Sequence, residues 1–271
     1  MGLELYIVDV DEENLDDFIN ICIPEGFRDD ERFIRGYKEK VVWCKAMFNL
    51  FGSIGKLAYV GGGAVGMIQY IPIPHEKLYK ITCIFVHDER YLRRGIGRRL
   101  LEEVILEARK PRSYFGGDSA DALVTRAFEV EGFYSQLEFF RRMGFKNVDP
   151  SDPYLLYYPL KEGYILRREV MEYTPLEEDC GEALIFTSPS CPFSIYFSER
   201  IRELIGEVSR DYPVRVINEF REPLEVKRRG VVPFCIVNGH PIKTFFTNRE
   251  RFKREVREAM LDECGYNRSG P

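Results

Sequence analysis

Glutamine is almost missing from this 271-residue chain, which has Gln69 and Gln136 alone, and tryptophan occurs once, at Trp43. Scarce glutamine beside abundant Glu and Arg leans toward a heat-adapted source, a setting in which intracellular disulfides do occur. No window approaches 18 uninterrupted apolar residues, and the N-terminus MGLELYIVDVDEENL has no basic stretch followed by a long apolar run. Membrane spanning and secretion both lack support, so the expected location is cytoplasmic. A basic excess is lacking too. The formal net charge is -5, and residues 181–271 hold 15 Lys and Arg against 13 Asp and Glu, leaving that part at +2 and the remainder at -7. Neither value suits a polyanion, so no nucleic-acid partner is expected. The seven cysteines have no metal-finger spacing, and an odd number in so long a chain predicts neither a disulfide framework nor structural zinc. What is present describes an ordinary globular protein, 45% hydrophobic and 31% charged, long enough for two cores.

Hydrophobic periodicity predicts a first strand over 3–8, a short helix ended by Pro24, and a helix over 31–51 with Phe33, Tyr37, Val41, Cys44, Met47 and Phe48 near a 3.6-residue period. Strands over 56–60 and 64–73 form a hairpin around Gly61-Gly62-Gly63, since such a turn needs positive φ angles. Another strand, 80–86, leads through a loop into an amphipathic helix over 95–109; a strand over 121–128, a helix over 133–143 and a strand pair, 145–148 and 154–160, follow. A charged, poorly periodic stretch ends this first domain, set at residues 1–162 with a linker at 163–180. The pattern restarts in a second domain, 181–271: strand 183–187, helix 192–209, strand 214–218, a hairpin of 234–237 and 242–246 turning at Asn238-Gly239, and a helix over 248–261.

The loop Leu92-Arg93-Arg94-Gly95-Ile96-Gly97-Arg98-Arg99 has the parts an anion needs: backbone amides converging where a helix opens, glycines at 95 and 97 to clear the approach, and arginines for charge-assisted contacts. A dinucleotide-binding turn would want a third glycine at position 100, where Leu stands. Strand 81–86, this loop and the helix after it resemble motif A of the GNAT N-acetyltransferase superfamily. Downstream, Phe139-Phe140-Arg141-Arg142-Met143-Gly144-Phe145 resembles the family's closing helix. The resemblance covers roughly residues 1–160 and implies an α/β (α+β) fold built on a mixed sheet. It further implies acetyl-CoA as acetyl donor, with Arg93, Arg94, Gly95, Ile96, Gly97 and Arg98 at the pyrophosphate and the main chain of Ile84, Phe85 and Val86 along the pantetheine arm. No metal is called for. The acceptor would be an amine of a small molecule or peptide, attacking the thioester directly in a ternary complex; its identity and the oligomeric state are not legible.

Two departures from the family pattern bear on catalysis. Leu92 stands where Gln or Arg is usual, which removes a side chain but no amide. Phe140 stands where many members place the tyrosine that protonates the leaving thiolate; Tyr134 is the candidate substitute, and Glu129 and Glu131 are candidates for the base. In the second domain Cys191, at a strand-to-helix junction, occupies a setting that lowers thiol pKa values. Cys191 to Ser194 and Pro233 together resemble a thioredoxin-like, YoaP-like region, with Ser194 in place of a second cysteine and Pro233 at a cis-proline position; Cys191 is then a possible redox thiol. The leading expectation is an acetyl-CoA-dependent N-acetyltransferase. The alternatives are a monothiol redox protein with an acetyl-CoA sensor domain and a non-catalytic acyl-CoA-binding scaffold.

Overall fold

A computed structural model describes residues 4–127, 134–167, 173–230 and 232–266. The chain divides into two compact units: Met1–Pro24 with Cys44–Glu169, and Glu25–Trp43 with Val170–Pro271. The sequence reading assigned residues 25–43 to the first domain, whereas here the division falls inside one helix. Among the described residues no helix is long and apolar enough to cross a membrane.

The first unit is built on seven strands: β1 (Leu5–Asp9), β2 (Gly55–Val60), β3 (Gly63–Ile73), β4 (Leu78–Val86), β5 (Ala122–Arg126), β6 (Lys146–Asp149) and β7 (Asp152–Pro159), in the order β1-β2-β3-β4-β5-β7-β6. All neighbours are antiparallel except β4 and β5, whose parallel pairing requires a crossover. Hairpin β2–β3 turns at Gly61 and Gly62, with φ of 61° and 84°, as the three glycines predict. Helix α1 (Leu15–Asn20) precedes α2 (Glu31–Phe51), whose bounds match the periodicity, and α3 (Ile96–Ala108) makes the crossover from β4 to β5. Ile96, Leu100, Leu101, Val104 and Ala108 point from α3 into the main core with Ile68, Tyr70, Ile81 and Leu123. A Cβ at Gly66 would stand 3.1 Å from Ile96 Cγ2, so the glycine lets the first turn of α3 lie close on the sheet.

Helix α4 (Gln136–Arg142) gives the motif around Phe140 a structural reason. Gly144 is left-handed at φ 88°, its amide donates to Arg141 O, and Phe145 N donates to Phe140 O, both at 3.0 Å. The Phe140 and Phe145 rings sit 4.9 Å apart. This is the paired hydrogen bonding and hydrophobic contact that ends a helix at glycine.

The second unit contains β8 (Ala183–Thr187), α5 (Ser194–Val208), β9 (Val214–Asn218), α6 (Pro223–Arg229), β10 (Cys235–Val237), β11 (His240–Pro241) and α7 (Arg249–Leu261), with sheet order β11-β10-β8-β9. β8 and β9 are parallel; β10 is antiparallel to β8. The sequence reading lacked α6, a seven-residue helix with Pro223 in its first turn. It also overextended the second hairpin strand. β11 is only two residues, and 242–246 run on as irregular chain that buries Ile242 and Phe246 against α5 and α7.

Two ties close this unit. Cys180 and Cys264 form a disulfide across 84 residues, which the odd cysteine count had argued against. Next to Cys180, Asp179 is fully buried with Arg229, whose Nη2 donates to Asp179 Oδ1 at 2.6 Å. The Asn238-Gly239 turn has both φ angles positive, and the Asn238 side chain accepts from Gly181 N and donates to Ala259 O and Asp262 O.

Candidate functional site

The unusual geometry lies where β4 leaves β5. Their ladder runs from Leu78↔Ala122 to Ile81↔Thr125 and stops, while β4 stays paired with β3 to Val86. At this junction the β3–β4 register shifts: Gln69 faces Cys83 and Tyr70 faces Ile81, so Thr82 is the extra residue of a bulge. A bulge bends and twists its strand, and the consequence is a fork opening toward the C-terminal ends of the two strands. Ile84, Phe85 and Val86 lie half-buried along its β4 side and keep their ladder to β3 alone.

Beyond Val86 the chain runs through a short loop into α3. Asp88 caps a single 3-10 turn, Glu89–Tyr91, by accepting from Arg90 N at 2.7 Å and from the Arg90 guanidinium, which holds the carboxyl below its ordinary value. Arg93 and Gly95 are left-handed, with φ of 58° and 79°, and Gly95 is the N-cap of α3. Leu92 through Gly95 are exposed, and the first amides of α3 have no partner inside the helix. Leu92 contributes no polar group, as expected.

The residues expected to grip phosphate separate into roles. Gly95 is needed for its backbone: a Cβ there would meet nothing within 4 Å, but φ is in the region L-residues avoid. Gly97 is not demanded by packing: a Cβ there would make ordinary contacts, 3.5 Å from the Phe139 ring and 3.8 Å from Ile84 Cδ1. Ile96 contributes only its amide, its side chain being buried in the core. Arg98 donates from Nε to Glu102 at 2.8 Å along the helix, so its charge is already partnered. Arg93 and Arg94 are exposed and have no ion-pair partner among the described residues.

Tyr134 is exposed, and its hydroxyl accepts from Arg142 Nη1 at 3.0 Å. Glu129 and Glu131 lie outside the described residues. Phe140 is 1% exposed and belongs to the helix-ending clamp, so its ring does not face solvent at all. The residues missed from sequence are those stitching the fork: Gln69 Nε2 donates to Thr82 Oγ1 at 2.8 Å, and Thr125 Oγ1 donates to Ile81 O at 3.1 Å. A polar Gln69 and Thr82 inside apolar strand runs were the available signal.

In the second unit the Cys191 expectation is corrected. Helix α5 begins at Ser194, so the cysteine precedes it by three residues. Cys191 is exposed as a residue, yet the protein atoms around its sulfur raise the thiol above its ordinary value against the pulls of Lys40 and the Phe193 amide. Ser194 Oγ accepts from Ser188 N at 2.9 Å. No peptide bond among the described residues is cis, so Pro233 lacks the bond the thioredoxin resemblance implies. Among the described residues no group of His, Cys, Asp and Glu is arranged to hold a metal ion.

Residues 53–147 match the family model described as Acetyltransferase (GNAT) domain, a span that contains the fork, the loop and α4. No curated protein matches the chain. Among solved structures, a GNAT family acetyltransferase from Brucella melitensis in complex with acetyl-CoA is similar at 18% identity and TM-score 0.40, covering 61% of this chain and 92% of that one. The PaiA N-acetyltransferase of Thermoplasma acidophilum in complex with coenzyme A is 16% identical at TM-score 0.40, covering 58% and 99%. Arabidopsis thaliana Naa50, in complex with the bisubstrate analogue CoA-Ac-MVNAL, is 18% identical at TM-score 0.37, covering 57% and 97%.

Proposed function

We propose that the first unit binds acetyl-CoA and transfers its acetyl group to an amine. The observation that carries this reading is one junction: a strand edge left open by the β4–β5 fork, followed within ten residues by the amide-lined start of α3. A diphosphate suits the second feature, because helix-start amides and the arginines at 93 and 94 offer donors and positive charge together. An amide-bearing arm suits the first, since an extended chain can add to the exposed edge as a further strand would. The family model over residues 53–147 supports the same assignment.

With the thioester held in the fork, the amine gives up a proton and its nitrogen attacks the carbonyl carbon; the C–S bond then breaks and coenzyme A leaves as a thiolate that takes up a proton. A thiol near pKa 8.5 leaves tolerably without an acid, so the packed Phe140 does not forbid turnover. Tyr134 is the proposed proton donor; its hydroxyl accepts a hydrogen bond from the Arg142 guanidinium, which fixes the direction of its oxygen. Glu129 or Glu131 is proposed as base. Most of the acceleration comes from holding the two reactants in register.

The test is incubation with acetyl-CoA and a panel of small-molecule and N-terminal peptide amines, following free thiol release. Tight coenzyme binding without release for any acceptor would replace catalysis with binding alone.

A further inference from the structure

Gln69 is one of two glutamines in the chain and is 1% exposed in the middle of β3. It sits where the sheet changes character. Its backbone pairs with Cys83, beside the bulge, and its Nε2 donates to the hydroxyl of the bulged residue Thr82 at 2.8 Å. The Thr82 hydroxyl in turn donates to the Gln69 carbonyl at 3.3 Å, closing a small ring between side chains and backbone. Gln69 Oε1 is buried and has no hydrogen-bond partner among the described residues. A buried amide whose oxygen lacks a partner is destabilising, so an apolar residue would be the stabler choice unless the bond to Thr82 serves a purpose.

We infer that Gln69 is a positioning residue: by holding Thr82 in the bulge it sets where β4 parts from β5, and so where a bound thioester rests. The inference rests on the acetyl-CoA reading for its effect on turnover. The direction follows from the chain. With the diphosphate at the start of α3, beyond Val86, the arm must run back along β4 toward lower numbers, and the vertex it approaches is Thr82. Thr125 fixes the opposite side of that vertex through the Ile81 carbonyl. A displaced vertex would leave the phosphate grip untouched and misplace the reacting carbon.

The experiment compares the wild type with Gln69→Met, Thr82→Val and Thr82→Ser, measuring coenzyme A affinity by calorimetry, thiol release with the best acceptor, and amide exchange over residues 82–86. Gln69→Met and Thr82→Val are expected to lower kcat by about 10–100-fold, the scale of a misplacement of about 1 Å, with the coenzyme dissociation constant within about threefold. Exchange over 82–86 should quicken about tenfold, about 1.4 kcal/mol, in both variants. Thr82→Ser, which keeps the hydroxyl, should behave as wild type in both readouts. A folded Gln69→Met with kcat within about twofold of wild type, or with unchanged exchange, overturns the inference; if Gln69→Met fails to fold, the same outcomes in Thr82→Val decide it. Wild-type protein that binds no coenzyme A would sink the acetyl-CoA reading instead, and the exchange measurement would still judge the role of Gln69.

Discussion

Replacing Gly95 with alanine tests the loop most directly, because the structure removes every cost except one. A Cβ at position 95 meets nothing within 4 Å, so there is no clash to relieve. The backbone, at φ 79°, is in a region that costs an L-residue about 1–2 kcal/mol. That strain must appear somewhere. If the substituted alanine stays left-handed, the folded state carries it and stability falls; if the free loop relaxes, the coenzyme must restore the geometry and binding weakens. The loss of stability and the loss of affinity should therefore sum to about 1–2 kcal/mol, or up to about 5–30-fold in the dissociation constant if binding takes it all. Thermal unfolding and calorimetric titration with coenzyme A measure the two parts. Gly97→Ala is the control: its Cβ makes ordinary contacts with Phe139 and Ile84, so stability and affinity should stay near wild type. A Gly95→Ala protein unchanged in both quantities, or a Gly97→Ala protein weakened as much, would refute the assignment of the amides around Gly95 as the grip.

Other perturbations follow from the same structure. Reducing Cys180–Cys264, or replacing Cys264 by serine, frees a loop of 84 residues and should destabilise the second unit by about 4–5 kcal/mol; melts with and without reductant that coincide would contradict this. Asp179→Ala takes the buried carboxylate from Arg229, which keeps Glu225 and Glu178, and should cost about 1–3 kcal/mol by denaturant unfolding. Burial raises the Asp179 carboxyl, but Arg229, the Leu176 amide and Tyr173 outweigh it and hold the group below its ordinary value. Its stabilising share is thus full above about pH 4 and lost as pH falls through the folded value; an acid melt of Asp179→Asn should lack that component. Phe140→Tyr buries a hydroxyl in the helix-ending clamp, and should destabilise by about 1–3 kcal/mol with no gain in turnover. Faster thiol release from that variant would mean the ring reaches the coenzyme after all.

Much of the fold was legible because it rests on local signals. The period of α2, the glycines of the β2–β3 turn, Asn238-Gly239 and the strand-loop-helix run through Gly95 each encode their geometry within a few residues. What escaped depends on partners far apart in the chain. The Cys180–Cys264 pair cannot be chosen from seven cysteines without coordinates, and α6 is a single short helix whose anchor, Arg229, answers to Asp179 fifty residues earlier. The motif around Phe140 was read as chemistry, whereas its spacing is what a glycine-terminated helix requires. The place of Cys191 before a helix predicts a lowered thiol, whereas desolvation pushes it above its ordinary value against Lys40 and the Phe193 amide.

The location of the candidate site follows from topology as much as from residue choice. β4 and β5 are the parallel pair in an otherwise antiparallel sheet, so both point their C-terminal ends to the same side. The crossover that joins them must leave from the end of β4, which brings the start of α3 to that same side. Ligands of open α/β sheets collect at such ends because helix-start donors and a gap between strands coincide there. In this chain the Thr82 bulge stands at the vertex of the gap, and Arg93 and Gly95, eleven and thirteen residues further on, turn the chain into α3. A coenzyme spanning both, as proposed, would give them a common purpose. Loss at Gly95 should then appear in binding or stability and loss at Gln69 in turnover, and variants combining the two changes should add their free energies, since the sites share no partner.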